Sequence, residues 1–326
     1  MTSLYNEKIN VMRKGKKDGL WVTWYDNKRT RVEYEGHYVK GKKEGLWITR
    51  HNDENNRVEY EGYYVNGERD GLWKTWYDYD TPILSGEEYY VNGELDGEYK
   101  RWFCTKPHLL EFERHYINGE KDGVWRQWYR GKDHLLEFEH HYVNGKLNGL
   151  WRKWHDNDKH TLLAEAYYVN GKPDGLARQW YKNGNLMIEK YYVNGDHDGV
   201  SRHWYDDANH TLKSEIYYVD GELNGIWMEW YLYRDHAVKF ERNFVNGKED
   251  GVSRYWYNNE QHSLVHEDQY VNGKEDGVWR GWYDDDQHSL EYERSYTRGE
   301  KHGRWVEFDR NGNVISDVEY VNGIKQ

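Results

Sequence analysis

Apolar and polar residues alternate along this chain in short runs, and the runs return at a fixed interval. One stretch shows the pattern: His141-Tyr142-Val143-Asn144-Gly145-Lys146-Leu147-Asn148-Gly149-Leu150-Trp151-Arg152-Lys153-Trp154. Alternation with period two is the mark of a strand, and Asn-Gly between two such runs marks a hairpin, because both residues tolerate positive φ. The spacing predicts strand A over Leu150–His155, a turn around Asp156–His160, and strand B through Leu163, Glu165, Tyr167 and Val169. The second glycine, Gly149, suits a bulge or a close backbone approach at the strand start.

A Gly-x-x-x-Gly unit opens every repeat, with first glycines running from Gly15 to Gly323 in steps of 26 residues. Two steps, Gly171 to Gly195 and Gly299 to Gly323, are 24. In those short repeats the A-to-B connection is Lys182-Asn183-Gly184-Asn185 or Arg310-Asn311-Gly312-Asn313, read as a tight Asn-Gly turn. Length changes therefore fall in turns, and the strands are preserved. All 18 tryptophans sit two or five residues after the second glycine, as at Trp151 and Trp154. Two and five differ in parity, so the two rows are predicted on opposite sheet faces. Tyrosine three residues before the first glycine, as at Tyr38, Tyr64 and Tyr142, adds a further aromatic row.

The expected fold class is all-β: an elongated single-sheet array of about twelve stacked β-hairpin repeats. The whole chain, 1–326, reads as one continuous array, with a capping strand over 1–14, repeats over 15–322 and a tail over 323–326. At roughly 4.8 Å per strand, such an array would be on the order of 120 Å long. Polar or divergent residues at the ends (Met12, Arg13 and Lys14; Phe308 and Asp309) suit capping, and the strand over Val314–Asn322 offers an edge for self-association.

Composition agrees with this reading. Hydrophobic residues make up 37% of the chain but aromatic ones 17%, so rings stand in for an aliphatic core. Disordered chains are poor in aromatics, which sets disorder aside. A net charge of −12 argues against nucleic acid and disfavours an anionic lipid surface. Cys104 is the only cysteine, which excludes an intrachain disulfide and paired-cysteine zinc motifs. The start of the chain has no apolar signal-like segment, and no apolar run reaches membrane-spanning length. The expected location is soluble, intracellular and cytoplasmic.

The residues 168–184 resemble the MORN repeat family in its variant form: Tyr168-Val169-Asn170-Gly171-Lys172-Pro173-Asp174-Gly175, then Trp180-Tyr181-Lys182-Asn183-Gly184, with Ala177 in place of the first tryptophan. The resemblance covers almost the whole chain and departs from the family in most A-to-B turns. It implies a hairpin per repeat, stacked into an elongated twisted sheet. It also implies roles in protein association and scaffolding and, for some members, membrane recruitment. Arrays of this style are abundant in giant DNA viruses and some bacteria, so a viral structural or assembly protein, in virion or host cytoplasm, is one form of the expectation. The family supplies no catalytic residues to carry over.

Candidate chemistry is sparse. A histidine recurs eleven residues after the second glycine: His108, His134, His160, His210, His236, His262 and His288. Equivalent positions in neighbouring repeats lie roughly 10 Å apart, too far for two ligands of one metal ion, so these read as turn residues bonding the backbone or packing on the next turn. Asp284-Asp285-Asp286 and Asp206-Asp207 read as solvated turns. Glu111 with Glu113, and Glu137 with Glu139, are spaced to share one sheet face, but they recur in too many repeats for a glycosidase pair. No serine or cysteine nucleophile signature and no phosphate loop appears. The expectation is a non-enzymatic scaffold with no catalytic, cofactor or metal residues and no cofactor, acting on protein partners or on itself. A lipid-recruitment adaptor and a glycan-binding aromatic surface are the alternatives.

Overall fold

The structure is a computed structural model describing residues 8–131, 133–232 and 237–326. It forms two units, Met1–His160 and Thr161–Gln326. In both, every regular element among the described residues is a β-strand. Pairing is antiparallel and joins strands that follow one another in the chain or are separated by one two-residue strand, and no pairing among the described residues brings a last strand back to a first, so neither ladder closes.

One repeat explains the rest. Strand B, Leu136–Val143, turns at Asn144 and Gly145 into strand A, Lys146–Trp154. Asn144 has φ +48° and Gly145 +76°, the two positive values of a type I′ turn. The A strand begins at Lys146, earlier than its predicted start at Leu150, and runs through Gly149. The register slips there: Tyr142 pairs with Leu147, but His140 pairs with Trp151. Gly149 sits at φ +109° in this bulge, as its position suggested.

A second bulge lies on the B strand. Gln127 pairs with Phe138 and the next residue, Trp128, pairs with Leu136, leaving Glu137 as the extra residue. The A strand stays regular, so Trp125 and Trp128 face opposite sides, as parity predicted. The same slip recurs elsewhere, for example at Met187 and Val265.

The short-repeat connections differ from expectation. At 181–185 only Gly184 is left-handed, at φ +96°, and Asn183 is not. Gly184 N–H donates to the Tyr181 carbonyl and Tyr181 N–H to that of Asn185. This is a three-residue loop with glycine at its left-handed end, not a two-residue turn; 309–313 repeats it around Gly312.

Neighbouring repeats are stitched at the Asn-Gly edge. Gly145 N–H donates to the Lys121 carbonyl at 2.8 Å, and Gly67 and Gly273 do the same to Lys43 and Glu249. The acid before the second glycine accepts from the next turn, as Asp250 does from Asn272 N–H at 3.0 Å. At the start, the Asn10 carboxamide clamps both backbone groups of Val22, at 2.7 and 2.9 Å, and so covers the edge of strand Gly19–Trp24.

Candidate interaction surfaces

The first sheet face carries the row of tryptophans two residues after the second glycine. In the first unit Trp47 and Trp73 are buried, each set edge-on between tyrosines: Tyr38, Trp47, Tyr64 and Trp73 follow at 5.0, 5.9 and 5.1 Å. The second unit has the same order over Tyr270, Trp279, Tyr296 and Trp305. Edge-to-face packing suits the ring quadrupoles and adds about 0.5–1.5 kcal/mol per pair beyond burial. The indole N–H of Trp47, Trp73, Trp125, Trp279 and Trp305 also finds the strand-B carbonyl freed by the first bulge, as Trp73 does at Tyr63, 3.1 Å, whereas that of Trp227 is buried without a partner. Cations close the row from above: Lys43 lies 4.3 Å over Trp47 and Arg69 lies 4.3 Å over Trp73. These ring faces are therefore occupied by the chain's own side chains.

The second face is charged along its middle. Arg126 bridges Glu113 and Glu139 at 2.8 and 2.6 Å, and Arg178 and Arg202 continue the pattern in the second unit through Glu165, Glu189 and Glu215. Here a sequence expectation fails. Glu139 meets Arg126, whereas Glu137 meets Gln127 at 3.0 Å, and Arg126 and Gln127 point to opposite faces. Glu111 and Glu113 part in the same way, toward Arg101 and Arg126. The bulge at the first glutamate breaks the alternation on which the shared-face reading rested. Nearer the Asn-Gly edge this face presents an apolar stripe: Leu72, Tyr89 and Val91 are each about two-fifths exposed, with Glu98 beside Tyr89 in the next repeat, and Leu176, Tyr191 and Val193 match them in the second unit.

The opposite turn edge holds the histidines. His134 is left-handed, φ +49°, stacks on Trp128 at 5.3 Å, and meets the Leu110 carbonyl through Nε2 at 2.7 Å. Facing a carbonyl, that nitrogen carries the proton and donates. His160, His210, His262 and His288 do likewise, His108 stacks and bonds in the same way without the left-handed backbone, and His236 lies outside the described residues. The tyrosine after the second tryptophan reaches the other way, as Tyr129 OH does to the Trp154 carbonyl at 2.7 Å. The row is thus a set of staples between successive turns, the backbone-bonding role its spacing suggested. The acidic clusters are turn residues too: Asp207 accepts from Thr211 and Asp285 from Ser289, and these hydrogen bonds hold both carboxyls below their usual range.

In the second unit serine interrupts the aromatic face at Ser201 and at Ser253, and the latter belongs to a polar cluster. Ser253 stands where other repeats have tryptophan, opposite Asp268, and both are buried. His266 Nδ1 bonds Asp268 at 2.8 Å and its ring stacks on Tyr255 at 4.2 Å. The Ser253 hydroxyl points to Glu249, 3.3 Å away, so serine and histidine do not form a relay. Burial, with Asp268 nearby, pushes Tyr292 up to about 12. Cys104 contacts the Tyr79 hydroxyl. Sequence reasoning passed over the Ser253 cluster, although the loss of tryptophan at that position signalled it.

Comparison with known proteins adds no identity. No family model matches the chain, and no curated protein does. Among solved structures, the crystal structure of TcdB2-TccC3 aligns with 93% of this chain and 18% of its own, at 8% identity and a TM-score of 0.19. The structure of a Photorhabdus luminescens Tc holotoxin pore gives 90%, 19%, 8% and 0.18. The chain spans under a fifth of either, and likeness at that level carries no argument. No helix among the described residues is long and apolar enough to cross a membrane.

Proposed function

We propose that this chain is a non-enzymatic protein-interaction scaffold built of MORN-type repeats. The observation that carries the reading is the exposed stripe of Leu72, Tyr89 and Val91 and its equivalents, set beside aromatic, histidine and arginine rows that are engaged within the chain. Tyrosine with aliphatic side chains is what the centre of a protein interface uses. The glycan alternative would need ring faces open to a sugar, and on the first face cations and neighbouring rings cover them.

A photo-crosslinking residue at Tyr89 tests this in cells of the native host. A discrete set of crosslinked proteins is expected, and it disappears in a chain that also carries Leu72→Glu and Val91→Glu, both on exposed sites that leave the fold intact. Crosslinks that persist unchanged in that variant, or none from Tyr89 at all, would count against the stripe as the working surface.

A further inference from the structure

Six described repeats solve one local problem in one way. The second tryptophan of the repeat is covered by an imidazole, and that imidazole engages the carbonyl of the residue 24 positions earlier. In the repeat opened by Gly67 and Gly71 the histidine position is Pro82, which has neither ring nitrogen nor N–H. The tryptophan of this repeat is Trp76, and the carbonyl at the matching distance belongs to Val58. Among the described residues no aromatic ring or guanidinium covers Trp76, whereas in the first repeat, which also lacks the histidine, Arg29 lies 4.8 Å over Trp24.

A cavity of about 400 Å³ opens at this place, lined by Val58, Trp76, Tyr77, Tyr79 and Pro82 with Arg57 at its wall. That volume lies within the range of small-molecule sites. Arg57 is fixed by Asp53, Asp78 and Asp80 at 3.1, 2.8 and 3.4 Å, so it acts as a rigid wall with its charge answered. The platform and the acceptor that elsewhere hold the chain's own imidazole are thus both present, without the imidazole.

We propose that this cavity binds an imidazole-bearing ligand, its ring stacked on Trp76 and a ring N–H donated to the Val58 carbonyl. The space beyond one imidazole takes the group that carries it, against Tyr77 and Tyr79. The ring can come from a free small molecule or from a histidine in a peptide, and the recognition chemistry is the same.

The test follows the tryptophan indole N–H signals of the full chain by heteronuclear NMR, with imidazole, 1-methylimidazole and an acetylated, amidated Gly-His-Gly peptide as probes. Imidazole should move the Trp76 signal saturably and leave the other indole signals in place. At about pH 8.5, where the ring is neutral, 1-methylimidazole lacks the donor and should bind about 10-fold more weakly, the loss of one hydrogen bond. Tighter binding of the peptide than of imidazole would assign the ring to a polypeptide, and the reverse to a small molecule. Trp76→Leu should abolish the response, with the remaining indole signals showing that the chain is folded. Pro82→His, which supplies the missing ring in place, should abolish it as well. Shifts spread over many tryptophans without saturation, equal binding of 1-methylimidazole, or binding retained by Trp76→Leu would overturn the assignment.

Discussion

At His134 three demands meet in one side chain: a left-handed backbone, a ring to cover Trp128 and a donor for the Leu110 carbonyl. Histidine is among the non-glycine residues that enter the left-handed region most readily. His134→Ala removes the ring and keeps the Cβ that histidine already holds in this conformation, and should cost about 1 kcal/mol, the net worth of one hydrogen bond with its packing. His134→Gly also sheds the Cβ strain and should be about 1 kcal/mol more stable than His134→Ala. Urea unfolding of the two variants separates the terms. His140 gives a pH dependence. Burial, with Lys121 and Lys153 nearby, pushes it from 6.5 down to about 4. Folded chains then bind fewer protons than unfolded ones between those values, so its contribution is full above pH 6.5 and is lost as pH falls toward 4. His197 and His203 are shifted the same way by burial. Stability measured across that window should fall with acid, and His140→Phe, keeping the stack on Phe138 and Trp151, should flatten the slope. The recurrence of the turn histidines was legible in the sequence. Their equivalence to Gly184 and Gly312, which hold the same left-handed place, was hidden by the two-residue difference in connection length.

Within the hairpin, alternation foretold the two tryptophan faces because strand A is regular beyond its glycine bulge, but it misplaced Glu111 and Glu137 because strand B is not. A bulge depends on how two strands of unequal count are pinned by their turns, and no residue type at 137 announces it: glutamate, methionine, valine and serine all fill the position. The close approach at Gly62 was equally silent. A Cβ there would stand 2.2 Å from the indole of Trp73, and the residue's φ is not left-handed, so space alone requires glycine. Gly62→Ala should destabilise the first unit by about 1–3 kcal/mol, the usual range for overpacking. Thermal unfolding followed by tryptophan fluorescence measures it, with a lowered midpoint as the expected outcome. Unchanged stability would mean that Trp73 has room to move.

For the molecule, the period was fully legible and so was the all-β class, since both follow from Gly-x-x-x-Gly spacing and Asn-Gly turns. Partner chemistry was not, because the surface on offer depends on which rows the chain covers with its own side chains. Within a unit, each repeat is held by the ladder, turn hydrogen bonds, ring row and staples it shares with its sequence neighbours. Stability should then be a sum of neighbour terms. Removing one period, residues 119–144, joins Asn118 to Gly145 and recreates a normal Asn-Gly turn. The shortened chain should fold, with a backbone NMR spectrum that matches the parent except in the repeats beside the junction and with cooperative unfolding retained. Loss of dispersed signals throughout the first unit would contradict this, by showing that the fold depends on contacts beyond nearest neighbours.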